Sequence, residues 1–368
     1  MSRVDFRKAF YGEALRKHQS PTLPVQASAA TMSLVPTPPV WRRALRAPFA
    51  LVRRFFVGAL LGKVDHLTAM TAEMGSQVAR LQKLEGMLAD RFHALEIKVR
   101  GPHEFDAETD AIRLNDGYVL VPKRARKLRL LLADAPPDGL EPGTAQVIRR
   151  LLSKGMTAID VGANVGALTL VCARAVGPTG KVHAFEPEPL FAGLLHEALD
   201  LNGTPWVHVH RQAVGRENGR ATFHVSPVGG HSSIYPLPSS EAGQQTDIQV
   251  EVGRLDDIFA SGSRINLVKM DVEGAELDVL GGMHRLIVEN PDLAIVAEYG
   301  RSHLRQQGID PAAWADHFTS LGYALFEIDE LSGKCEPTTA AMFGEKYSVN
   351  IAMARFGTRA YDLLSASK

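Results

Sequence analysis

The chain has few cysteines and no long uncharged apolar run. Its 368 residues include only Cys172 and Cys335, which supply neither a disulfide framework nor the spacing of a zinc knuckle. The longest uncharged apolar run near the N-terminus, Phe55 to Gly62, falls well short of the ~20 residues that cross a bilayer. The first residues also lack the apolar core of a signal peptide. We therefore expect a cytoplasmic protein.

The chain has no net charge either, because 41 Lys and Arg balance 41 Asp and Glu. The balance is uneven along the chain, since residues 1–156 are rich in basic side chains and residues 157–368 in acidic ones. Phosphate contacts dominate the affinity of proteins for nucleic acids, so an acidic second half argues against nucleic-acid partners. The basic first half needs its own explanation.

The N-terminal residues combine an unpatterned lead segment with a basic helix. Residues 1–40 are predicted to be disordered, because residues 18–40 are rich in Pro, Ser, Ala and Thr. Residues 41–62 place five arginines on one arc of a helical wheel and apolar side chains opposite, with a kink expected at Pro48. Such a helix suits peripheral contact with the inner face of an anionic membrane. The alternative is a helix that docks on its own domain with its arginines outward.

Residues 63–100 show a regular seam with alternating spacings of three and four residues. The seam comprises Val64, Leu67, Thr71, Met74, Val78, Leu81, Glu85, Leu88, Phe92, Leu95 and Val99. Only Thr71 and Glu85 interrupt its apolar character, and Gly75 and Gly86 lie off the seam. This pattern predicts a coiled coil through residues 64–99 and hence a homo-oligomer. A long helix packed on the same chain is the alternative.

Residues 101–156 form a connection into the acidic half. Residues 112–121 alternate like a hairpin with an Asp116-Gly117 turn. Glu141-Pro142 opens a helix that Gly155 stops. Glu141 precedes this helix in a loop that could cover a ligand, and a surface charge near a helix N-terminus explains it equally well.

The most informative stretch, residues 157–166, reads as a buried strand ending at Asp160, a turn with Gly162 and Gly166, and the start of a helix. Glycines let a ligand approach the main chain, and the free amides of the new helix face the same place. A dinucleotide fingerprint would require glycine where the sequence has Asn164. The stretch therefore indicates a nucleotide site of another kind. A turn that merely joins strand to helix is the alternative.

The remaining sequence predicts six further central strands, which makes seven with the first. They lie at residues 181–187, 206–210, 265–270, 293–297, 323–328 and 349–354. Glu186 ends the second strand, where an acid accepts the hydroxyls of a ribose, and Ala213 follows the third, where an adenine fits. Residues 222–225 and 248–252 predict an antiparallel excursion around the polar loop 229–235.

Three acids follow the fourth and fifth strands, where parallel α/β sheets bind ligands. Asp271, Glu273 and Glu298 are therefore candidates for a general base, because clustered carboxylates raise one another's pKa. His231 on the polar loop is a rival base. Asp271 could instead cap the following helix, and Glu276 is expected to be exposed. A metal shared by the three acids is conceivable, but no ligand spacing demands one and we predict none.

Five motifs occur in the order seen in FkbM-type methyltransferases, and the match covers about residues 115–355. They are Asp160-Val-Gly-Ala-Asn-Val-Gly166, Phe185-Glu186-Pro187, Leu255-Asp256-Asp257, Lys269-Met-Asp-Val-Glu-Gly-Ala-Glu276 and Glu298-Tyr299. The sequence resembles that family of class I S-adenosylmethionine-dependent methyltransferases. The resemblance implies an α/β fold with a seven-stranded Rossmann-like sheet and helices on both faces, here preceded by a long N-terminal helix or coiled coil.

The same resemblance implies a cofactor and a set of residues that bind it. Asp160, Gly162, Asn164 and Gly166 would cradle S-adenosylmethionine and Glu186 would hold its ribose. Ala213 and Asp271 complete the predicted cofactor site. The expected function is an O-methyltransferase domain (residues 157–368) acting on a hydroxyl of a sugar, glycan or related metabolite. The alternatives are a non-catalytic coiled-coil membrane adaptor and, disfavoured by Asn164, a nicotinamide-dependent dehydrogenase.

Overall fold

The computed structural model describes residues 46–226, 232–236, 245–343 and 346–366. Within the first helix it describes the side chains of residues 56–88 alone. The chain divides into two compact units between Glu85 and Gly86. The predicted lead segment (residues 1–40) and His231 lie outside the described residues.

The first helix, α1 (Arg46–Arg100), is one continuous helix of 55 residues. The predicted basic helix (residues 41–62) and the predicted coiled coil (residues 63–100) share this one helix from Arg46 onward, and Pro48 lies near the start of its described part. The kink at Pro48 stays a prediction. The arginines of the predicted basic arc lie outside the described side chains, so the membrane contact of residues 41–62 stays a prediction. No helix among the described residues is both long and apolar enough to cross a membrane.

A small antiparallel sheet follows α1. Its strands are β1 (His103–Glu104), β2 (Thr109–Leu114) and β3 (Gly117–Pro122). Leu114 pairs with Gly117, so the hairpin turn is Asn115-Asp116 and the prediction of an Asp116-Gly117 turn was wrong by one residue. A side chain at Gly117 would collide with the side chain of Asn202, which accepts a hydrogen bond from the backbone of the next residue.

The central sheet contains the seven predicted strands and one short edge strand. In chain order they are β4 (Thr157–Val161), β5 (Lys181–Phe185), β6 (Val207–His210), β10 (Leu267–Met270), β11 (Ala294–Gly300), β12 (Tyr323–Ile328), β13 (Cys335–Pro337) and β14 (Ser348–Arg355). Their spatial order is β13-β12-β14-β11-β10-β4-β5-β6. The strands from β11 to β6 run parallel, whereas β14 is antiparallel to its neighbours. The first strand of this sheet in chain order, β4, thus lies inside the sheet, flanked by β5 and β10.

Helices cover both faces of this sheet, as predicted. One face packs on α2 (Arg126–Asp134), α3 (Pro142–Leu151), α4 (Ala167–Val176), α5 (Pro189–Leu201) and α12 (Arg359–Ser365). The other packs on α6 (Leu255–Ile258), α7 (Glu276–Gly281), α8 (His284–Glu289), α9 (Arg301–Gln306), α10 (Pro311–Thr319) and α11 (Ala340–Phe343). Alternate strand residues serve the two faces, so that Ala158 joins the first core and Ile159 the second.

The predicted antiparallel excursion is confirmed. It forms a three-stranded sheet of β7 (Ala213–Val214), β8 (Gly219–Val225) and β9 (Thr246–Gly253), in the order β7-β9-β8. Its core is the small apolar cluster of Ala213, Phe223 and Val250. Because this sheet is inserted between β6 and β10, it lies beside the carboxyl ends of the central strands.

Candidate functional site

A cleft opens at the carboxyl ends of β4, β5 and β10, and its open space, solvent included, is about 640 Å³. Five of the predicted cofactor residues line it, namely Gly162, Asn164, Glu186, Ala213 and Asp271, together with Glu273 from the predicted base candidates. Asp160, Gly166 and Glu298 lie outside its lining.

The turn after β4 gives the cleft its floor. Gly162 has φ 78° and Asn164 has φ 51°, both in the left-handed region. A Cβ at Gly162 would come within 1.9 Å of the carbonyl oxygen of Asp271, so only glycine allows β4 to leave the sheet this close to β10. Gly166 caps α4 instead, and a Cβ there would lie 2.3 Å from Leu195 of α5. Because Gly166 has no side chain, α4 and α5 can pack closely at this point.

Glu186 is held rigidly at the end of β5. The backbone N–H of Asn164 donates to one carboxylate oxygen and that of Glu188 to the other, each at 2.8 Å. Burial raises the pKa of Glu186 to about 7, although these two bonds oppose the shift. A carboxylate oxygen has two lone pairs, so each oxygen retains one acceptor site for a ligand hydroxyl.

Asp160 supports the turn from behind. Its side chain is fully buried and accepts a hydrogen bond from the Thr169 hydroxyl at 2.5 Å. Lys269 Nζ lies 3.3 Å from the other carboxylate oxygen and donates to the carbonyl of Gly162. Burial alone would lower the pKa of Lys269, but the carboxylates of Asp160, Asp271 and Glu141 raise it. The predicted cradle residue Asp160 thus acts on the cleft through the backbone that it positions.

The remaining wall is apolar on one side and acidic on the other. Ala213, Phe223 and Ile234 contribute an apolar surface. Glu188 faces the same cleft, and burial raises its pKa to about 7. Among the described residues that line the cleft, four are carboxylates (Glu186, Glu188, Asp271 and Glu273) and none is lysine or arginine. The cleft is therefore suited to a cationic ligand with one flat apolar part.

Three of the four base candidates meet beside this cleft. Oxygen atoms of Asp271, Glu273 and Glu298 lie within 4.8 Å of one another, and all three residues are half-buried. Burial, followed by the charges of Asp271 and Glu273, holds the pKa of Glu298 well above its usual range. Such a cluster could transfer a proton or hold a divalent cation.

Neighbouring residues fix the positions of these acids. The hydroxyl of Ser348 on β14 donates to Glu298, and His303 Nε2 lies 3.2 Å from Glu273. Glu273 itself adopts φ 51°, an uncommon conformation for a residue with a side chain.

Glu141 also contributes a carboxylate near this end of the sheet. The side-chain amide of Asn350 on β14 donates to it at 3.0 Å. Burial raises the pKa of Glu141 to about 7, and the nearby charges of Lys269 and Asp271 act on it in opposite directions. Glu141 is half-buried at the N-terminus of α3, so its carboxylate lies between the helix and β14.

Two predictions about the motif after β10 were also wrong. Glu276 was expected to be exposed, but it is 3% exposed and accepts a hydrogen bond from the Gly274 amide. Burial raises its pKa to about 8. Asp271 does not cap the next helix, because α7 begins at Glu276 and its cap residue is Ala275.

Sequence reasoning missed Lys269, which joins Asp160 to Asp271. The available signal was a single charge in the middle of an otherwise apolar strand. Buried charges are rare unless paired, so this lysine implied a buried acid on a neighbouring strand.

Comparison with known proteins finds one family model that matches part of the chain. The family model described as "Methyltransferase FkbM domain" matches residues 160–325, which contain the turn after β4, the cleft and the acid cluster.

Curated relatives are also methyltransferases. Methyltransferase 1 of Beauveria bassiana is 32% identical over 143 residues, covering 34% of this chain and 57% of that protein. The hexuronic acid methyltransferase AglP of Haloferax volcanii is 30% identical over 147 residues, covering 38% and 56%. The 2-O-methyltransferase NoeI of Sinorhizobium fredii is 27% identical over 151 residues, covering 37% and 61%. The matched part thus spans little more than half the length of these relatives.

Proposed function

Because residues 160–325 match the FkbM methyltransferase domain, we propose that the chain transfers a methyl group from S-adenosylmethionine to a hydroxyl of a sugar, glycan or related metabolite. The observation that carries this proposal is the charge of the cleft, whose described lining has four carboxylates and no basic side chain. The cofactor carries a sulfonium and an ammonium group, both of which such a lining stabilises. A nicotinamide dinucleotide carries a pyrophosphate, which the same carboxylates would repel.

Different residues of the cleft would bind different parts of the cofactor. Glu186 would accept the ribose hydroxyls with the lone pairs that its two backbone partners leave unused. Ala213 and Phe223 would provide an apolar surface for the adenine. The turn at Gly162 and Asn164 would let the main chain approach the ligand, and Asp271 would face its cationic part.

The acid cluster performs the chemistry on the acceptor. The cofactor supplies an activated methyl group, so the protein must hold the acceptor oxygen in line and remove its proton. Asp271 and Glu273 line the cleft while Glu298 lies just outside its lining, within reach of both. We assign to this cluster the removal of the proton from the acceptor hydroxyl. Glu298 is the principal proton acceptor, because burial favours the protonated form of its carboxyl group.

A sugar-like acceptor fits the polar groups around this cluster. Glu141, Asn350, Ser348 and Glu298 are linked in two hydrogen-bonded pairs next to the cluster, and they offer several acceptors to vicinal hydroxyls. Two relatives bear names that refer to a hexuronic acid and to a 2-O-methyl group. These names support the proposed substrate class for this chain.

Calorimetric titration of the full chain with S-adenosylmethionine tests the cofactor. Glu186→Gln keeps an acceptor for one of the two backbone amides, turns a donor toward the other and removes the charge, and we expect affinity to fall about 10-fold or more. The matched control is Glu197→Gln, at an exposed position on α5, which should bind as the wild type does. Binding of a nicotinamide dinucleotide in place of S-adenosylmethionine would overturn the proposal.

A second experiment tests the acceptor. The protein is incubated with methyl-labelled cofactor and a panel of neutral, acidic and amino sugars, and the labelled product is analysed by mass spectrometry. Label on a sugar oxygen is expected. Label on amines alone would contradict O-methylation while leaving the cofactor assignment intact.

A further inference from the structure

The helix α1 carries an apolar seam that is exposed to solvent. Eight apolar side chains lie along its described part, and each is 48–66% exposed: Val57, Leu60, Val64, Leu67, Met74, Val78, Leu81 and Leu88. Large apolar side chains repeated along one line are costly to leave in water, and contiguous exposed apolar surfaces mark interaction sites. This seam therefore requires a partner.

The identities of the seam residues specify the kind of partner. In heptad terms, the described seam has five a positions (57, 64, 71, 78 and 85) and five d positions, each three residues later. Valine occupies three of the a positions (Val57, Val64 and Val78). Leucine occupies four of the d positions (Leu60, Leu67, Leu81 and Leu88). β-branched side chains at a and leucine at d favour two parallel strands. We propose that α1 pairs with α1 of a second copy of this chain in a parallel, in-register, two-stranded coiled coil.

The two polar seam residues agree with a parallel arrangement. Thr71 and Glu85 both occupy a positions, so in register each faces its own counterpart and every other layer stays wholly apolar. A fully overlapping antiparallel pair would place Thr71 against Met74 and Glu85 against Leu60. That arrangement would bury a carboxylate against leucine without a partner, which is costly. The parallel pair instead places both Glu85 carboxylates in one layer, where their repulsion adds to the cost, and leaves every other layer of the described seam without a charge.

The side chains that flank the seam are mostly apolar or neutral. Leu61, Met70 and Leu84 lie next to the seam and are about half exposed or more, so they extend the apolar surface on both sides. Lys63 is the one charged residue at an e or g position between Leu60 and Leu88. The residues at the a and d positions, rather than ion pairs across the interface, therefore set the orientation of the two helices.

Light scattering and sedimentation of the full chain test the number of strands. We expect twice the mass of one chain at micromolar concentration. Leu67→Asp with Leu81→Asp should give a monomer, while Ala69→Asp with Ser76→Asp, which adds the same charge on the opposite side of the helix, should leave the dimer intact. A wild-type monomer, trimer or tetramer would overturn the proposal. S-adenosylmethionine affinity of each variant reports separately whether the catalytic half is folded.

Disulfide trapping tests orientation and register. Val64→Cys and Leu88→Cys lie near opposite ends of the described seam, and we expect each to form a cross-link to its own counterpart under mild oxidation. Ser76→Cys, on the outer side of the helix, is the matched control and should stay uncross-linked. The native Cys172 and Cys335 are both buried and should not interfere. In an antiparallel pair positions 64 and 64 would be tens of ångströms apart, so failure at both ends with a dimeric mass would contradict the parallel arrangement.

Discussion

Lys269 and Asp160 are paired residues on adjacent central strands, and their side chains form a buried ion pair at 3.3 Å. The lysine also donates to the carbonyl of Gly162 and lies 3.7 Å from Asp271. One side chain thus connects the turn after β4 with the acid after β10. These are the two walls of the cleft that we assign to the cofactor.

Removal of Lys269 should destabilise the fold more than removal of the whole pair. Lys269→Met leaves the carboxylate of Asp160 buried without its cation, and we expect a loss of about 3–5 kcal/mol in the free energy of unfolding. The double variant Asp160→Asn with Lys269→Met removes both charges and should recover a large part of that loss. Urea denaturation measures all three proteins. A double variant as unstable as Lys269→Met would contradict the ion-pair account.

The sequence pattern predicted the sheet well and its buried charges poorly. The seven strands were predictable because each is an apolar run bounded by a turn, as in residues 323–328, where prediction and structure agree. Lys269 was missed because its burial depends on acids far away in the chain, and Glu276 was wrongly expected to be exposed because its burial depends on the local backbone. The hydrophobic periodicity of the sequence does not predict that a carboxylate on β4 will pair with a lysine on β10.

The N-terminal helix combines two sequence patterns in one element. The pattern changes near residue 62 from a basic arc to an apolar seam, and the backbone of α1 continues through this change. Amphipathic periodicity reports which side of a helix meets a partner, and that side can change without a break in the hydrogen bonds.

Glu298 should affect turnover far more than cofactor binding. Its carboxylate lies near Asp271 and Glu273 but outside the lining of the cleft, so Glu298→Gln should lower kcat about 100-fold or more while the Kd for S-adenosylmethionine stays nearly constant. Steady-state kinetics with the identified acceptor and calorimetry give the two values. Glu336→Gln, on the exposed part of β13, is the control. Equal losses in kcat and cofactor affinity would contradict the assignment.

The same three acids also allow a test of the prediction that no metal is required. If they transfer a proton, activity should survive treatment with EDTA and should not rise on addition of Mg²⁺. If they hold a cation, EDTA should abolish activity and Mg²⁺ should restore it. The second result would assign Asp271, Glu273 and Glu298 to a metal site.

Glu276 should make the stability of the protein depend on pH. Its pKa is raised from 4.5 to about 8 by burial, so between these values the folded state retains a proton that the unfolded state releases. Its contribution to stability is therefore complete below pH 4.5 and is lost as the pH rises through about 8. The melting temperature of Glu276→Gln should fall less over this interval than that of the wild type. Glu197→Gln, at an exposed site, should follow the wild type, and an identical slope for Glu276→Gln would refute the assignment.

Two glycines should respond oppositely to the same substitution. Gly75 lies inside α1, and a Cβ there would meet no atom within 4 Å, so Gly75→Ala should stabilise the helix by about 1 kcal/mol. Gly166 has φ 86°, and a Cβ would lie 2.3 Å from Leu195, so Gly166→Ala should destabilise the catalytic half by about 1–3 kcal/mol. Circular dichroism at 222 nm measures the helix content of Gly75→Ala. The thermal unfolding transition of the catalytic half measures the loss of stability in Gly166→Ala. A loss of helix in Gly75→Ala would mean that this position requires glycine for a contact that one chain alone does not make.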